Sequence, residues 1–352
     1  MKWLRWIILV LVVVVGGTVI HKQYRKISTL VATDTEPVKE AATRTDKIKP
    51  LSIVGTRVID TDGNDVMLVG ITTDEFRFNP MHKNIETLKQ NILEVKSWGV
   101  NLVVLYLQQP LKVNKRVDEI VELANWATEN KMYTLIFPVV HETDFIPLND
   151  RQKKREDVYY SPLGKNTEKI LETLSKKLKN NVGVMYGMGA ESHGVSQTDL
   201  YKRQLDMLDT VRKNSPDAVG VINGMEYGHY LDIYIANPPE QKNILYDIHQ
   251  YVGSTAKDVD SSKCILPTQY FGKVPLIVGE FGGTYTDDFG SYKDLDCVSS
   301  YISSFKYAKL GFVVHTIDNL SRMGLFDWNN QITSKGKLLK SALVDIKTSL
   351  RN

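Results

Sequence analysis

The sequence predicts an α/β protein, a closed (β/α)8 TIM barrel preceded by an N-terminal transmembrane helix and a short linker. Eight short apolar runs alternate with stretches whose apolar residues recur at the helical spacing of i, i+3, i+4 and i+7. No glycine-rich GxGxxG turn follows the first run, so a closed barrel is favoured over an open doubly wound sheet. The eight runs are VMLVGI at 66, NLVVLY at 101, MYTLIF at 132, VGVMYG at 182, AVGVI at 218, NILYDI at 243, PLIVG at 275 and GFVVHT at 311.

The first 26 residues are predicted to be a membrane anchor or an uncleaved signal. Residues 6–20 carry no charge, and with Trp3 and Leu4 the apolar stretch approaches the length that spans a bilayer. Basic residues stand where a small-x-small cleavage site would follow, so an anchor is favoured over a cleaved signal peptide. Because basic residues flank both ends of the stretch, its charges leave the orientation open.

The rest of the chain divides into a linker and one domain. Residues 27–50 mix Thr, Ala, Lys, Glu and Asp without apolar periodicity, which is typical of a solvated linker. From Leu51 onward the pattern alternates, beginning with a hairpin predicted to turn at Asp62-Gly63 and to lead into the first buried strand. The barrel is therefore expected to occupy residues 51–352.

The net charge argues against a nucleic-acid partner. The formal charge is +3, but five of the 44 Lys and Arg residues lie in the first 26 residues, which contain no acid. The remainder of the chain then has 39 basic residues against 41 acidic ones. Nucleic-acid binding would require a basic patch on the folded domain, so a neutral or uncharged substrate fits better.

The two cysteines, Cys264 and Cys297, lie on either side of the run that ends at Glu280. In an exported domain they could form a disulfide. The alternative is a pair of unbonded, partly buried thiols, and the sequence leaves the choice open.

Two glutamates are the candidate catalytic residues. Glu191 follows the fourth run in VGVMYGMGAESHG, and Glu280 ends the seventh in VPLIVGEFGG. In a barrel of this kind the C-terminal ends of the strands meet at the active site, and burying a carboxylate there is costly without a partner or a purpose. Glycoside cleavage needs two such carboxylates, one to attack the anomeric carbon and one to protonate the departing oxygen.

Residues 51–349 resemble the cellulase-like glycoside hydrolase family 5, as a divergent member. The resemblance rests on the motifs RVIDTDGNDVMLVGI, LEVKSWGVNLVVLYL, NILYDIHQYVG and PLIVGEFGG, of which the last two are the most specific. It implies a retaining mechanism with Glu280 as nucleophile and Glu191 as acid/base. It also implies that His249 and Tyr251, the family's H-x-Y, bind sugar and hold the nucleophile.

Three positions depart from the family pattern. Ala190 stands where the family has an asparagine before the acid/base, and Val104 stands where it has an arginine late in strand two. His315 stands in place of the strand-eight tryptophan that floors the minus-one sugar subsite, so we expect His315 to contact substrate. The resemblance therefore implies an altered environment around Glu280.

Further substrate-binding residues are expected in the connections beyond the strands. The segment from Pro138 to Lys165 is too long for a simple connection and is predicted to wall the cleft. His141 in this segment, together with Tyr227 and Trp328, is predicted to bind substrate. Other aromatic candidates for the cleft are Phe76, Tyr106, Phe145, Tyr159, Tyr160 and Tyr285.

We predict no metal and no organic cofactor, because the chain contains no H-E-x-x-H, EF-hand loop or P-loop, and His193, His229 and His315 have no ligand spacing.

The expected protein is a single-pass, membrane-anchored retaining glycosidase that cleaves β bonds of a polysaccharide or oligosaccharide outside the cytoplasm. Two alternatives remain open. One is a weakly active or inactive glycan-binding barrel at the cell surface, and the other is a transglycosylase that remodels an exopolysaccharide. The sequence does not predict the oligomeric state.

Overall fold

The structure is a computed structural model. It describes residues 47–73, 85–108, 113–139, 162–192, 196–253, 264, 266, 268–284, 292–317, 324–327 and 329–349. These residues belong to a compact unit that begins at Lys47. The predicted anchor and all but the last residues of the predicted linker lie outside the described residues. Within the described ranges, no helix has the length and apolar character needed to cross a membrane.

Eight parallel strands form a closed barrel, which confirms the predicted (β/α)8 architecture. Two short antiparallel strands, β1 (Leu51–Val54) and β2 (Arg57–Asp60), precede it. The barrel strands are β3 (Val69–Thr73), β4 (Leu102–Gln108), β5 (Tyr133–Val139), β6 (Val184–Gly187), β7 (Gly220–Asn223), β8 (Ile244–Gly253), β9 (Leu276–Thr284) and β10 (Gly311–Val314). Pairing of β10 with β3 closes the barrel.

Helices follow the strands and cover the outside of the barrel. They are α1 (Ile85–Trp98), α2 (Val113–Glu129), α3 (Pro162–Lys177), α4 (Gln197–Arg212), α5 (Met225–Gly228), α6 (Asp232–Ala236), α7 (Tyr292–Ala308) and α8 (Ser334–Ser349). In α1 the buried side chains Leu88, Ile92 and Val95 recur every three or four residues, so one face of the helix packs on the sheet. Ser196 caps α4 by accepting a hydrogen bond from the backbone N–H of Asp199 at 3.2 Å.

The entry to the barrel has two turns. The turn between β1 and β2 is at Gly55, which has a φ of +60°. The predicted turn at Asp62-Gly63 is also present, with the N–H of Gly63 donating to the carbonyl of Asp60 at 3.0 Å. The arm after this turn makes only a short antiparallel contact with β2, through Ile59 and Asp65, before the chain enters β3. The hairpin is therefore shorter than the alternating pattern predicted.

The barrel interior is filled by apolar side chains below the C-terminal ends of the strands. Along β4, Leu102, Val104 and Tyr106 belong to the inner cluster, and the residues between them pack outward against the helices. Phe137 of β5 lies beside Tyr106, with the ring centroids 5.9 Å apart. A side chain on Gly187 would overlap the Phe137 ring, so glycine there makes room for the aromatic layer under the site.

Candidate active site

Glu280 lies inside β9, whereas the sequence predicted it at the end of the strand. The pairing of β8 with β9 continues to Gly253 and Thr284, so the polar residues at the barrel mouth are still part of the sheet. His249 and Tyr251 likewise lie within β8, beyond the apolar run NILYDI that predicted this strand. Glu280 is 7% exposed, so its carboxylate is almost wholly removed from solvent.

Two tyrosine hydroxyls hold the Glu280 carboxylate. Tyr106 donates to Oε1 at 2.9 Å, and Tyr251 donates to Oε2 at 3.0 Å. Burial and the nearby charge of Glu280 raise the pKa of Tyr106 well above its usual value, so this hydroxyl stays protonated and remains a donor. The charge of Glu280 is thus stabilised by neutral hydrogen bonds on both oxygens.

Glu191 lies just beyond β6 on a sharply turning segment. Its φ is +54°, in the left-handed region that non-glycine residues rarely occupy, and Gly189 before it also has a positive φ. The Asn223 side chain accepts a hydrogen bond from the Glu191 N–H at 2.8 Å and fixes this turn. The Glu191 side chain remains 25% exposed, which suits a group that must reach a substrate oxygen.

The two glutamates approach each other closely at the barrel mouth. One carboxylate oxygen from each lies, with a ring nitrogen of His249, in a group whose members are all within 4.8 Å of one another. Retaining glycosidases place their carboxyl groups about 5 to 5.5 Å apart, and inverting enzymes leave about 6.5 to 9.5 Å. Such a trio also meets the spacing of a metal site. However, both His249 nitrogens already face carboxylates, which favours a proton-carrying arrangement.

His249 is fully buried between three carboxylates. Its Nδ1 lies 3.0 Å from Glu191 Oε1 and 3.9 Å from Glu280 Oε2, and its Nε2 lies 3.4 Å from Asp247 Oδ2. Burial alone would lower the pKa of His249. The charges of Glu280 and Asp247, with the hydrogen bond between Nδ1 and Glu191, outweigh burial and raise the pKa of His249 well above its usual value.

His315 is the second buried histidine at Glu280. Its Nδ1 lies 3.0 Å from the Thr72 hydroxyl and 3.5 Å from Glu280 Oε1. The ammonium group of Lys335, itself buried, donates to the His315 carbonyl at 3.0 Å. The peptide bond between His315 and Thr316 is cis. His315 is thus held at two points, its ring by Thr72 and its backbone carbonyl by Lys335.

The other predicted positions are distributed more widely. Tyr227 is 43% exposed, and its N–H donates to the carbonyl of Ser192 at 3.3 Å, so α5 is joined to the Glu191 segment. Val104 and Ala190, two of the departures, are buried in the inner cluster. The remaining candidates lie outside the described residues: Phe76, His141, Phe145, Tyr159, Tyr160, Tyr285 and Trp328.

Cys264 and Cys297 form a disulfide with a Cα–Cα distance of 5.3 Å. Of the two alternatives that the sequence left open, the structure therefore has the bonded pair. The bond links the segment between β8 and β9 to helix α7.

Sequence reasoning missed three polar residues of the site: Thr72, Asn223 and Asp247. Thr72 and Asn223 each directly follow an apolar run, and each is fully buried. A usable signal existed for Asp247. It interrupts the run NILYDI and precedes His249 and Tyr251 by two and four residues, so period-two alternation places all three on one face of β8.

Comparison with known proteins agrees with the fold. Residues 59–321 match the family model described as cellulase, glycosyl hydrolase family 5. Endoglucanase A of Butyrivibrio fibrisolvens is 23% identical over 257 residues, covering 69% of this chain and 54% of the relative. Endoglucanase E-5 of Thermobifida fusca is 22% identical over 273 residues, covering 74% of this chain and 54% of the relative. The chain thus spans about half the length of these relatives.

Solved structures share the fold. The catalytic domain of the Thermobifida fusca endoglucanase, in a complex with cellotetraose, matches with a TM-score of 0.63 and 18% identity, covering 84% of this chain and 97% of that one. A β-glucanase of Saccharophagus degradans, also with cellotetraose, matches with a TM-score of 0.64 and 16% identity, covering 89% and 98%.

A closed parallel barrel with a close carboxylate pair at its mouth defines a (β/α)8 glycoside hydrolase. The family match extends over most of the barrel and includes Glu191, His249 and Glu280. The chain belongs to the cellulase family, glycosyl hydrolase family 5. The resemblance seen in the motifs is thereby confirmed.

Proposed function

We propose that the protein is a retaining β-glycosidase that cleaves β-glucans, with Glu280 as nucleophile and Glu191 as acid/base. The observation that carries the proposal is the separation of at most 4.8 Å between a Glu191 oxygen and a Glu280 oxygen. This distance fits the short carboxylate separation of retaining enzymes better than the wider one that an inverting enzyme uses to place its water.

The contacts of the two glutamates suit a double displacement. Glu280 attacks the anomeric carbon while Glu191 protonates the departing oxygen, which gives a covalent glycosyl-enzyme. Glu191 then takes a proton from water, and the oxygen of that water displaces Glu280 from the sugar. Tyr106 and Tyr251 aim Glu280 in the first step and stabilise it as it leaves in the second.

The substrate class is proposed from the relatives. The curated relatives are named endoglucanases, and two of the similar solved structures contain cellotetraose. Tyr227 adds a feature of this chain, because it is exposed next to the Glu191 segment, where the departing part of a glucan would lie. We propose that its ring stacks on that sugar, since aromatic side chains bind apolar faces well.

We also propose that the barrel acts outside the cytoplasm, tethered by residues 1–26. The Cys264–Cys297 disulfide supports an oxidising compartment, because such bonds persist mainly in exported domains. The uncharged stretch at residues 6–20 supports the tether.

The test is the Glu280→Ala variant with an activated aryl β-cellobioside. We expect turnover to fall on the order of 10⁴-fold, as when a nucleophile is removed from other enzymes that form a covalent intermediate. Azide should restore cleavage by entering the vacated space and should give a glycosyl azide of inverted configuration, identified by NMR. Glu240→Ala, which removes an exposed carboxylate, is the matched control and should keep wild-type turnover.

Three results would contradict the proposal or redirect it. Wild-type turnover in Glu280→Ala would exclude Glu280 as the nucleophile. Binding without turnover across a panel of β-glucans would support the glycan-binding barrel. Elongated products with intact glucans would support transglycosylation, because the same intermediate is then transferred to a sugar instead of water.

A further inference from the structure

Glu191 and three neighbouring side chains form a closed ring of polar contacts. The Glu191 N–H donates to Asn223 Oδ1 at 2.8 Å, and Asn223 Nδ2 donates to Asp247 Oδ2 at 2.9 Å. The same Asp247 oxygen lies 3.4 Å from His249 Nε2, an ion-pair distance without hydrogen-bond geometry, and His249 Nδ1 lies 3.0 Å from Glu191 Oε1. The backbone and the carboxylate of Glu191 are thus both tied, by different routes, to Asp247.

Asp247 is a buried carboxylate with little direct stabilisation. It is 1% exposed, and among the described residues its Oδ1 has no hydrogen-bond partner. A side chain on Gly279 would overlap Asp247, so the neighbouring strand leaves space for the carboxylate. A buried charge of this kind is costly unless a counter-charge faces it, and the His249 imidazole is the group in that position.

We propose that Asp247 is a positioning residue of the reaction, and the inference rests on the function proposed above. Its carboxylate fixes a proton on His249 Nε2, so that His249 Nδ1 and Glu191 Oε1 share the one proton that acid catalysis uses. The raised pKa of His249 favours keeping this proton between the two groups.

The proton balance closes over one catalytic cycle. In the first step the bond to the departing oxygen breaks, the bond to Glu280 forms, and the shared proton passes through Glu191 to that oxygen. In the second step the water oxygen bonds to the sugar, Glu280 leaves, and the water proton returns to the pair of Glu191 and His249. The proton on Nε2 and the charge of Asp247 are unchanged throughout.

The groups that face His249 are consistent with this role. Glu191, Glu280 and Asp247 present three carboxylates to the ring. His229 approaches from the end of α5, and its pKa is lowered by burial and then by the charge of His249. His229 is therefore neutral when His249 is charged, and it does not compete for the proton.

The first test compares wild type with Asp247→Asn in the pH dependence of kcat/KM for an aryl β-cellobioside. Without the negative charge of Asp247, His249 and Glu191 bind the shared proton less tightly. The alkaline limb of the kcat/KM profile should therefore move to lower pH by about one unit or more. A structural defect alone would lower the rate without moving the limb. Asp206→Asn, which removes a surface carboxylate paired with Lys202, is the control and should leave the limb in place. An alkaline limb at the wild-type pH in Asp247→Asn would overturn the proposal.

The second test needs no turnover and only the wild-type fold. Nitrogen-15 NMR of histidine-labelled protein, with His249 assigned from the signals lost in His249→Gln, should show Nε2 protonated from about pH 5.5 to 8.5. An unprotonated Nε2 in this range would overturn the role of Asp247. If Nε2 is protonated but no β-glucan is cleaved, the proposed function fails while the proposed location of the His249 proton stands.

Discussion

At the scale of single residues, the hydroxyl of Tyr106 is the contact with the most direct test. We expect Tyr106→Phe to lower kcat/KM about 10- to 100-fold, because a hydrogen bond to a charged group contributes about 1.5–3 kcal/mol. Steady-state kinetics on the aryl β-cellobioside measures the effect.

The matched control for Tyr106 is another tyrosine of the barrel. Tyr133 donates through its hydroxyl to the carbonyl of Lys49 at 3.0 Å, in the segment that precedes β1. Tyr133→Phe should therefore cost about 1 kcal/mol of unfolding free energy and leave kcat/KM unchanged. Equal values of kcat/KM for Tyr106→Phe and wild type would show that Tyr106 does not support Glu280.

The sequence identifies some residues of the site and not others for a physical reason. Glu191 and Glu280 could be predicted because a carboxylate beside an apolar strand is conspicuous. Thr72 could not, because its partner His315 is 243 residues away and meets it only when β10 closes the barrel against β3. Asn223 likewise contacts the Glu191 N–H only because Glu191 adopts a positive φ, which the local sequence does not predict.

At the scale of elements, the apolar runs located the strands but not their full extent. A run ends at its first polar residue, whereas β8 and β9 remain paired through the polar residues of the barrel mouth. Those added residues include His249, Tyr251 and Glu280, so the extension of the two strands holds the site on rigid backbone. The apolar runs therefore underestimate how much of the rim is held on paired strand backbone.

The disulfide is the element-scale feature with a measurable contribution to stability. Cys264 and Cys297 are 33 residues apart, and closing a loop of this length restricts the unfolded chain by about 3–4 kcal/mol. We expect the variant with both cysteines changed to serine to lose about that much unfolding free energy in urea. Reductant should destabilise wild type to a similar extent and leave the double variant unaffected. A wild type insensitive to reductant would show that the bond does not stabilise the fold.

At the scale of the whole molecule, the eightfold repetition makes the fold predictable. Each strand and helix signal is weak alone, but eight alternations in one chain are compatible with few architectures, and the barrel closes in sequence order. The site is less predictable because its side chains come from the ends of strands around the whole barrel. Tyr106, for example, contacts Glu280 across 174 residues of sequence.

The barrel also buries ionisable hydroxyls, which sets a limit on its stability at high pH. Tyr106, Tyr186 and Tyr301 are each at most 2% exposed. Burial raises the pKa of all three, that of Tyr301 to about 12. Below about pH 10, the tyrosine pKa of an unfolded chain, folded and unfolded states bind the same protons. Above it the unfolded chain ionises first, so stability is lost as pH rises, by about 1.4 kcal/mol per pH unit for each tyrosine.

We therefore expect the unfolding free energy to fall by about 4 kcal/mol per pH unit above pH 10 from these three residues alone. Urea titrations from pH 9 to 11.5, with tyrosinate absorbance recorded in parallel, measure the slope and show whether ionisation accompanies unfolding. Tyr301→Phe should reduce the slope by about 1.4 kcal/mol per pH unit, because one fewer buried proton is lost. Tyr307→Phe, on the same helix but at a position 94% exposed, should leave the slope unchanged. Equal slopes for Tyr301→Phe and wild type would mean that the buried hydroxyls do not limit the alkaline stability of the barrel.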